Sequence, residues 1–314
     1  MSDSTYCPQL WDGFTIDNKG NVFSCCHIQP LIIGNIYSSK LADLANNENI
    51  VKCRKYSLQG QLHCYPNCNL IKKTVVPQNL ELISPLCDYS TMRRLHLNFG
   101  EKCNIACIMC KQPKRYMQNQ QMLDPEVLIR NIDVTPFEEI VIQGGETLYI
   151  SQCLSYMDYL ATQEKKYTVL TNGLLIADSM AEKLSLDANV VSISINAATK
   201  ATHEKVNRGS SWEKVLSNIQ RLVRAREENG TELTVYGRMT LTTFALHEIP
   251  LFLKTYREIG FDKINFGYDK ATVPDYLKNN PGFRDQLAAS IRKSLEHSDV
   301  ENIDLLRLEQ LGLL

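Results

Sequence analysis

The sequence predicts an α/β fold, a partial (β/α)6 barrel with a small N-terminal cysteine-rich domain ahead of it. Three observations predict it. From about residue 92 short β-like runs alternate with helical stretches, the pattern of a parallel sheet with helical crossovers. The runs number six, fewer than a closed eight-stranded barrel needs. Seven of the eleven cysteines fall in the first 87 residues, ahead of the βα pattern, and mark a separate segment.

Taken in order, the N-terminal segment comes first. GFTIDNKGNVFSCC reads as a β-hairpin with an Asp-Asn-Lys-Gly turn that presents Cys25 at a strand end. The stretch 69–92 has two prolines and weak periodicity and reads as a linker. The candidate strands follow: RRLHLNF (93–99), EEIVIQ (138–143), YTVLT (167–171), VVSISI (190–195), TVYGRMTL (234–241) and KINFGY (263–268). Between them lie helical patterns. In Trp212–Arg226, Val215, Leu216, Ile219, Leu222 and Val223 recur at helical spacing. Beyond about residue 270 helix signals occupy Arg284–His297 and Ile303–Leu314. The expected domains are therefore 1–91, 92–270 and a helical tail 271–314.

Alternation along the strands says more. Leu95 and Leu97 share one face while Arg94, His96 and Asn98 share the other. Val191, Ile193 and Ile195 oppose Ser192, Ser194 and Asn196, and Tyr236, Arg238 and Thr240 form a third polar row. A parallel sheet covered on both faces reads almost uniformly apolar. Repeated polar rows instead suggest that one face lines a wet cavity, with an antiparallel, solvent-facing sheet as the alternative.

A chain of 314 residues with 44% hydrophobic and 22% charged residues is ordinary for a globular protein. The formal net charge of −1 gives no footprint for nucleic acid. The start, MSDSTYCPQL, has no basic and apolar signal regions, and no run of eighteen apolar residues follows, so a cytoplasmic protein with no membrane partner is expected. In such a chain eleven cysteines point to metal rather than disulfides. Cys153 stands alone on a predicted helix and reads as a buried thiol.

Chemistry concentrates at Cys103, Cys107 and Cys110. The C-x-x-x-C-x-x-C spacing places three thiolates on one short segment. A [4Fe–4S] cluster ordinarily takes four cysteines, so three leave one iron open, as catalytic metal sites do. Zinc is the rival metal, but its ribbons favour paired C-x-x-C arms, and no matching arm follows within forty residues. One apolar face of a helix is the bland alternative.

This segment, with Asn104 after the first cysteine, resembles the cluster loop of radical S-adenosylmethionine (SAM) enzymes. The resemblance implies a [4Fe–4S] cluster whose open iron is chelated by SAM. Reductive cleavage of SAM then gives a 5′-deoxyadenosyl radical, which takes hydrogen from a substrate. The family's aromatic residue before the third cysteine is here Met109, whose thioether offers a similar apolar surface to adenine. After the second strand, Gly144-Gly145-Glu146 resembles the GGE motif that binds the SAM amino group. After the third, Asn172 in Thr-Asn-Gly resembles another recurrent feature. Ser194 and Asn196 on the fourth are candidates for SAM ribose or carboxylate, and Arg208 for the carboxylate, which a planar guanidinium grips bidentately. No acid–base residue is assigned.

The N-terminal C-x12-G-x4-C spacing around Cys7 and Gly20, then Gly34-Asn35 and Cys64-x-x-x-Cys68, resembles SPASM or twitch auxiliary iron–sulfur modules. Two differences stand out: the module precedes the core instead of following it, and the dense middle cysteine run is missing. The resemblance implies an auxiliary [4Fe–4S] cluster on Cys7, Cys25, Cys64 and Cys68, with Cys26, Cys53 and Cys87 in reserve and zinc as the alternative metal. The implied function is oxidative modification of a peptide, with a dehydrogenase or epimerase of a small molecule as the alternative. A flavodoxin or ferredoxin would be the reductant. A non-catalytic zinc or iron–sulfur scaffold is the rival from another class.

Overall fold

The computed structural model describes residues 6–25, 32–61, 77–110, 121–296 and 298–314. Its strands are β1 (Gly13–Ile16), β2 (Asn21–Phe23), β3 (Gly34–Asn35), β4 (Arg94–Asn98), β5 (Ala106–Cys107) and β6 (Glu139–Gln143). They continue as β7 (Tyr167–Thr171), β8 (Ala188–Ser194), β9 (Asn207–Arg208), β10 (Thr234–Leu241), β11 (Lys263–Tyr268) and β12 (Ile303–Asp304). The chain forms two compact units, one of residues 1–100, 120–144 and 151–167, the other of 101–119, 145–150 and 168–314.

In the first unit the strand order is β6-β4-β1-β2-β3. β1 and β2 form the expected antiparallel hairpin, with Thr15 opposite Phe23. Its turn closes because Asp17 Oδ1 accepts the backbone N–H groups of Lys19 and Asn21, each at 2.9 Å. Gly20 then takes φ 80°, which a side chain would resist. Unforeseen from sequence, β1 also pairs in parallel with β4, Gly13 opposite Arg94. β4 pairs in parallel with β6 from Arg94–Glu139 to Asn98–Gln143. Leu95, Leu97, Ile140 and Ile142 are buried, and His96, Asn98, Val141 and Gln143 are half-buried on the other face. Arg54, on the helix Glu48–Leu58, is fully buried, yet its Nε donates to the Leu10 carbonyl at 2.8 Å and Nη1 to Asn46 Oδ1 at 3.0 Å. These bonds offset part of the cost of burying the cation, while its Nη2 is buried without a partner.

In the second unit the order is β7-β8-β10-β11-β12. β8, β10, β11 and β12 run parallel, with Val191 opposite Val235, Gly237 opposite Ile264, and Ile264 opposite Ile303. The helix Trp212–Asn229 covers one face with Val215, Ile219 and Leu222, all fully buried. Each such side chain contributes about 1.5–3 kcal/mol of hydrophobic transfer. Ser211 caps the helix start and Gly230, at φ 60°, ends it. Three strands carry the expected bounds and the others differ by one or two residues. The tail does not match. Ile303–Leu314, expected as one helix, begins with β12, and only Leu306–Gln310 is helical. Ile303 leaves the helical pattern because it is buried against the β11 edge. Among the described residues no helix is long and apolar enough to cross a membrane.

Candidate cluster and cofactor site

The second unit holds the three cysteines of the loop. They do not share a helical face. β5 pairs antiparallel with β9, Ala106 opposite Arg208 and Cys107 opposite Asn207. The Ile108 N–H donates to the Val206 carbonyl at 2.9 Å, and the Cys110 N–H to the Cys107 carbonyl at 3.1 Å. This short ladder pins the middle of the loop to residues 206–208. Cys103 and Cys107 are half-buried, Cys110 is exposed, and all three are free of disulfides. Burial, and then the charges of Cys103 and Cys110, push the Cys107 thiol up to about 12. Burial also raises Cys103. A bound cationic cluster would reverse this balance and hold the thiols deprotonated. Among the described residues no three His, Cys, Asp or Glu side chains close around a single metal ion.

The strand-end motifs gather at the same loop, in a manner the sequence did not show. A Cβ on Gly145 would lie under 3.0 Å from the carbonyl of Glu101 and 2.5 Å from the carbonyl oxygen of Lys102. The backbone that Gly145 admits is thus the cysteine loop itself. The Glu146 N–H donates to the Lys102 carbonyl at 2.9 Å. The Glu146 side chain is 1% exposed. Its Oε1 accepts the Thr171 hydroxyl at 2.6 Å and the Leu148 N–H at 3.1 Å, and its Oε2 accepts the Asn172 N–H at 2.6 Å. Burial raises its pKa, against the pull of these donors. Asn172 in turn donates from Nδ2 to Asn104 Oδ1 at 2.7 Å and accepts the Leu174 N–H at 3.1 Å. A chain of hydrogen bonds therefore runs from Glu146 through Asn172 to Asn104, next to Cys103.

Asn196 is equally occupied. It sits at φ 58°, a conformation asparagine tolerates better than most residues. Its Oδ1 accepts the Thr240 N–H at 2.8 Å and its Nδ2 donates to Asn207 Oδ1 at 2.9 Å. Asn207 is the residue sequence reasoning missed: it is 1% exposed, and Cys107 Sγ lies 3.3 Å from its Oδ1. Its Nδ2 donates to the Ile195 carbonyl at 3.1 Å, tying the loop to the end of β8. No sequence signal marks it, because its partner is 100 residues away. By contrast Arg208 is exposed beside Asn207, and Ser194 and Met109 are half-buried.

Of the N-terminal cysteines, Cys7 and Cys25 are buried, and the Cys7 N–H donates to Ser57 Oγ at 2.8 Å. Cys87 is buried with Sγ 3.5 Å from the Trp11 carbonyl, and Cys53 is half-buried on its helix. Cys26, Cys64 and Cys68 lie outside the described residues. The buried thiol expected at Cys153 is present.

Residues 97–248 match the family described as the radical SAM superfamily, and residues 7–69 match SPASM, an iron–sulfur cluster-binding domain. The chain belongs to the radical SAM superfamily and carries a SPASM domain ahead of the radical SAM domain. Its cofactors are a [4Fe–4S] cluster with SAM and auxiliary iron–sulfur. It is 23% identical over 219 residues to a probable GTP 3′,8-cyclase of Methanocaldococcus jannaschii, covering 67% of this chain and 71% of that protein. With the GTP 3′,8-cyclase of Peptoclostridium acidaminophilum it shares 28% over 134 residues, 40% of this chain and 41% of the relative. The structure of Streptococcus suis SuiB bound to precursor peptide SuiA matches with TM-score 0.51 at 14% identity, covering 92% of this chain and 70% of SuiB. At that identity the match shows the shared fold, a partial α/β barrel.

Proposed function

We propose that this radical SAM enzyme abstracts a hydrogen atom from a substrate bound beside the cluster loop, and that the N-terminal domain carries the product electron away. The observation that carries the reading is the pinned loop: three thiols free of disulfides on one short segment, which β5 and β9 tie to Asn207 and Arg208. When bound, the cluster supplies the electron that cleaves SAM. The chain's own residues do the rest. Cys103, Cys107 and Cys110 hold the cluster, and Asn104, Glu146, Asn172, Asn196 and Asn207 fix the loop against the strand ends. The Gly144 and Gly145 backbone meets the SAM amino group, Ser194 and Arg208 its carboxylate, and Met109 its adenine. The internal bonds of Glu146 and Asn196 make them positioning residues in this reading.

For the N-terminal domain, Cys7, Cys25, Cys64 and Cys68 are the proposed ligands. The proposed boundaries are 1–91, 92–270 and 271–314, within which both family matches fall. In this reading the auxiliary domain accepts the product electron and the net reaction is an oxidation. A peptide is the first substrate class, supported by the fold shared with SuiB bound to its precursor peptide. A small molecule is the second, favoured by the relatives named GTP 3′,8-cyclase. Anaerobic protein, reductant and SAM, incubated with GTP or with peptide, separates them. Substrate-dependent turnover of GTP without peptide would favour the second.

A further inference from the structure

One cation of the second unit has no use in the reading above. Arg238 lies on the half-buried polar face of β10. Among the described residues its guanidinium has no carboxylate or carbonyl partner. The groups that perturb it are burial and a second guanidinium, that of Arg307, and both disfavour its charge. Arg307 itself donates to Gln310 Oε1 at 2.6 Å. Holding an unpaired cation half out of water beside another cation is costly, and a protein keeps such a group where something anionic is to meet it.

Strand register defines the surroundings. Arg238 stands directly opposite Ser194 on one side and Asn265 on the other, and Asn265 stands opposite Asp304. One polar row therefore crosses four parallel strands. The carboxamide oxygen of Asn265 is buried without a partner, an orphaned acceptor next to the free cation. One row nearer the strand C-terminal ends, Gly267 contributes no side chain. A Cβ built there would lie 3.5 Å from Arg238 Nη2, so the guanidinium extends over that gap toward the strand ends. Asp304, exposed at the far end of the row, spends Oδ1 on the Leu306 N–H at 3.1 Å.

We propose that Arg238, supported by Arg307, binds an oxyanion of the substrate, a phosphate or a carboxylate, while Asn265 accepts an adjacent substrate O–H or N–H. This rests on the proposed function for its placement of substrate beside SAM, and it names the substrate class. Guanidinium forks suit either oxyanion, and a charge-assisted bond is about twice as strong as a neutral one. The two arginines favour a guest of more than one negative charge.

The test uses full-length, anaerobically reconstituted protein titrated by calorimetry with inorganic pyrophosphate and, separately, with succinate. Saturable binding of one of them identifies phosphate or carboxylate as the source. Arg238→Gln is expected to weaken that binding at least ~10-fold and Arg238→Lys to restore part of it. Gly267→Asp, which sets a carboxylate beside the guanidinium, should also abolish binding, and guards against misfolding of the first variant. In all three, iron content, SAM affinity and SAM cleavage without substrate should stay unchanged. Equal anion binding by wild type and Arg238→Gln, or no binding of either anion, overturns the proposal. So does a fall in SAM affinity parallel to the loss of anion binding, which would assign Arg238 to SAM's own carboxylate. Anion binding that depends on Arg238 in a protein unable to cleave SAM would keep this inference and sink the proposed function.

Discussion

Replacing Gly145 by alanine is the most informative single change to the loop. The added Cβ meets the Glu101 carbonyl, backbone carbon included, and the Lys102 carbonyl oxygen, all at distances real Cβ atoms do not show. These are backbone atoms of the residues just before Cys103, and they cannot yield by turning a side chain. The loop must move, and the Glu146 N–H to Lys102 bond, 2.9 Å long, must stretch or break. Overpacking of this kind costs about 1–3 kcal/mol, and the lost hydrogen bond about 1 kcal/mol more. Borne by the loop alone, that lowers the population of the cluster-binding geometry roughly 30- to 700-fold, at about 1.4 kcal/mol per decade. The assay is iron and sulfide content after anaerobic reconstitution, with the spectral response of the reduced cluster to SAM. The control is Gly282→Ala, where a Cβ meets nothing within 4 Å. Gly145→Ala should lose the SAM-responsive cluster while Gly282→Ala keeps it. If Gly145→Ala kept its SAM-responsive cluster, the loop would tolerate the added Cβ and the reasoning would be refuted.

Three further outcomes follow from other contacts. Glu146→Gln puts an amide N–H₂ against the Thr171, Leu148 and Asn172 donors, so unfolding stability should fall by about 1–3 kcal/mol; unchanged stability with weakened SAM binding would instead make Glu146 a ligand contact. His203 is buried between the Ile195 carbonyl and Ser210 Oγ, and burial holds its pKa below the ordinary 6.5. The unfolded chain then binds the extra proton, so stability is fully present above 6.5 and declines as pH falls toward the lowered folded value. Thermal midpoints measured across that range should decline less in His203→Gln than in wild type. Full reconstitution should give about eight irons per chain, two cubanes, and about four once Cys103, Cys107 and Cys110 are replaced by alanine; one zinc and no iron in that variant would make the N-terminal domain structural.

Much of the fold was legible because hydrophobic alternation is a local signal. YTVLT, TVYGRMTL and KINFGY carry their own β-branched and aromatic pattern, and their bounds stand as expected. The β5–β9 ladder has two residues per strand and no pattern to read, although it shapes the cysteine loop. The candidate site divides in the same way. Cysteine spacing is chemistry visible in sequence, whereas the partner of a polar side chain is not. Glu146 and Asn196 sit at strand ends, as a ligand contact would, yet their bonds close on Thr171, Asn172, Thr240 and Asn207. Gly144-Gly145 reads as backbone exposed to a ligand, whereas the backbone that packs against Gly145 is that of Glu101 and Lys102.

Cleavage of SAM by the loop cluster is the central claim, and 5′-deoxyadenosine is its direct product. Anaerobically reconstituted protein supplied with dithionite and SAM should release it, and the Cys103→Ala, Cys107→Ala, Cys110→Ala triple variant should release none while still holding iron in its N-terminal domain. Equal 5′-deoxyadenosine from the two proteins would contradict the account.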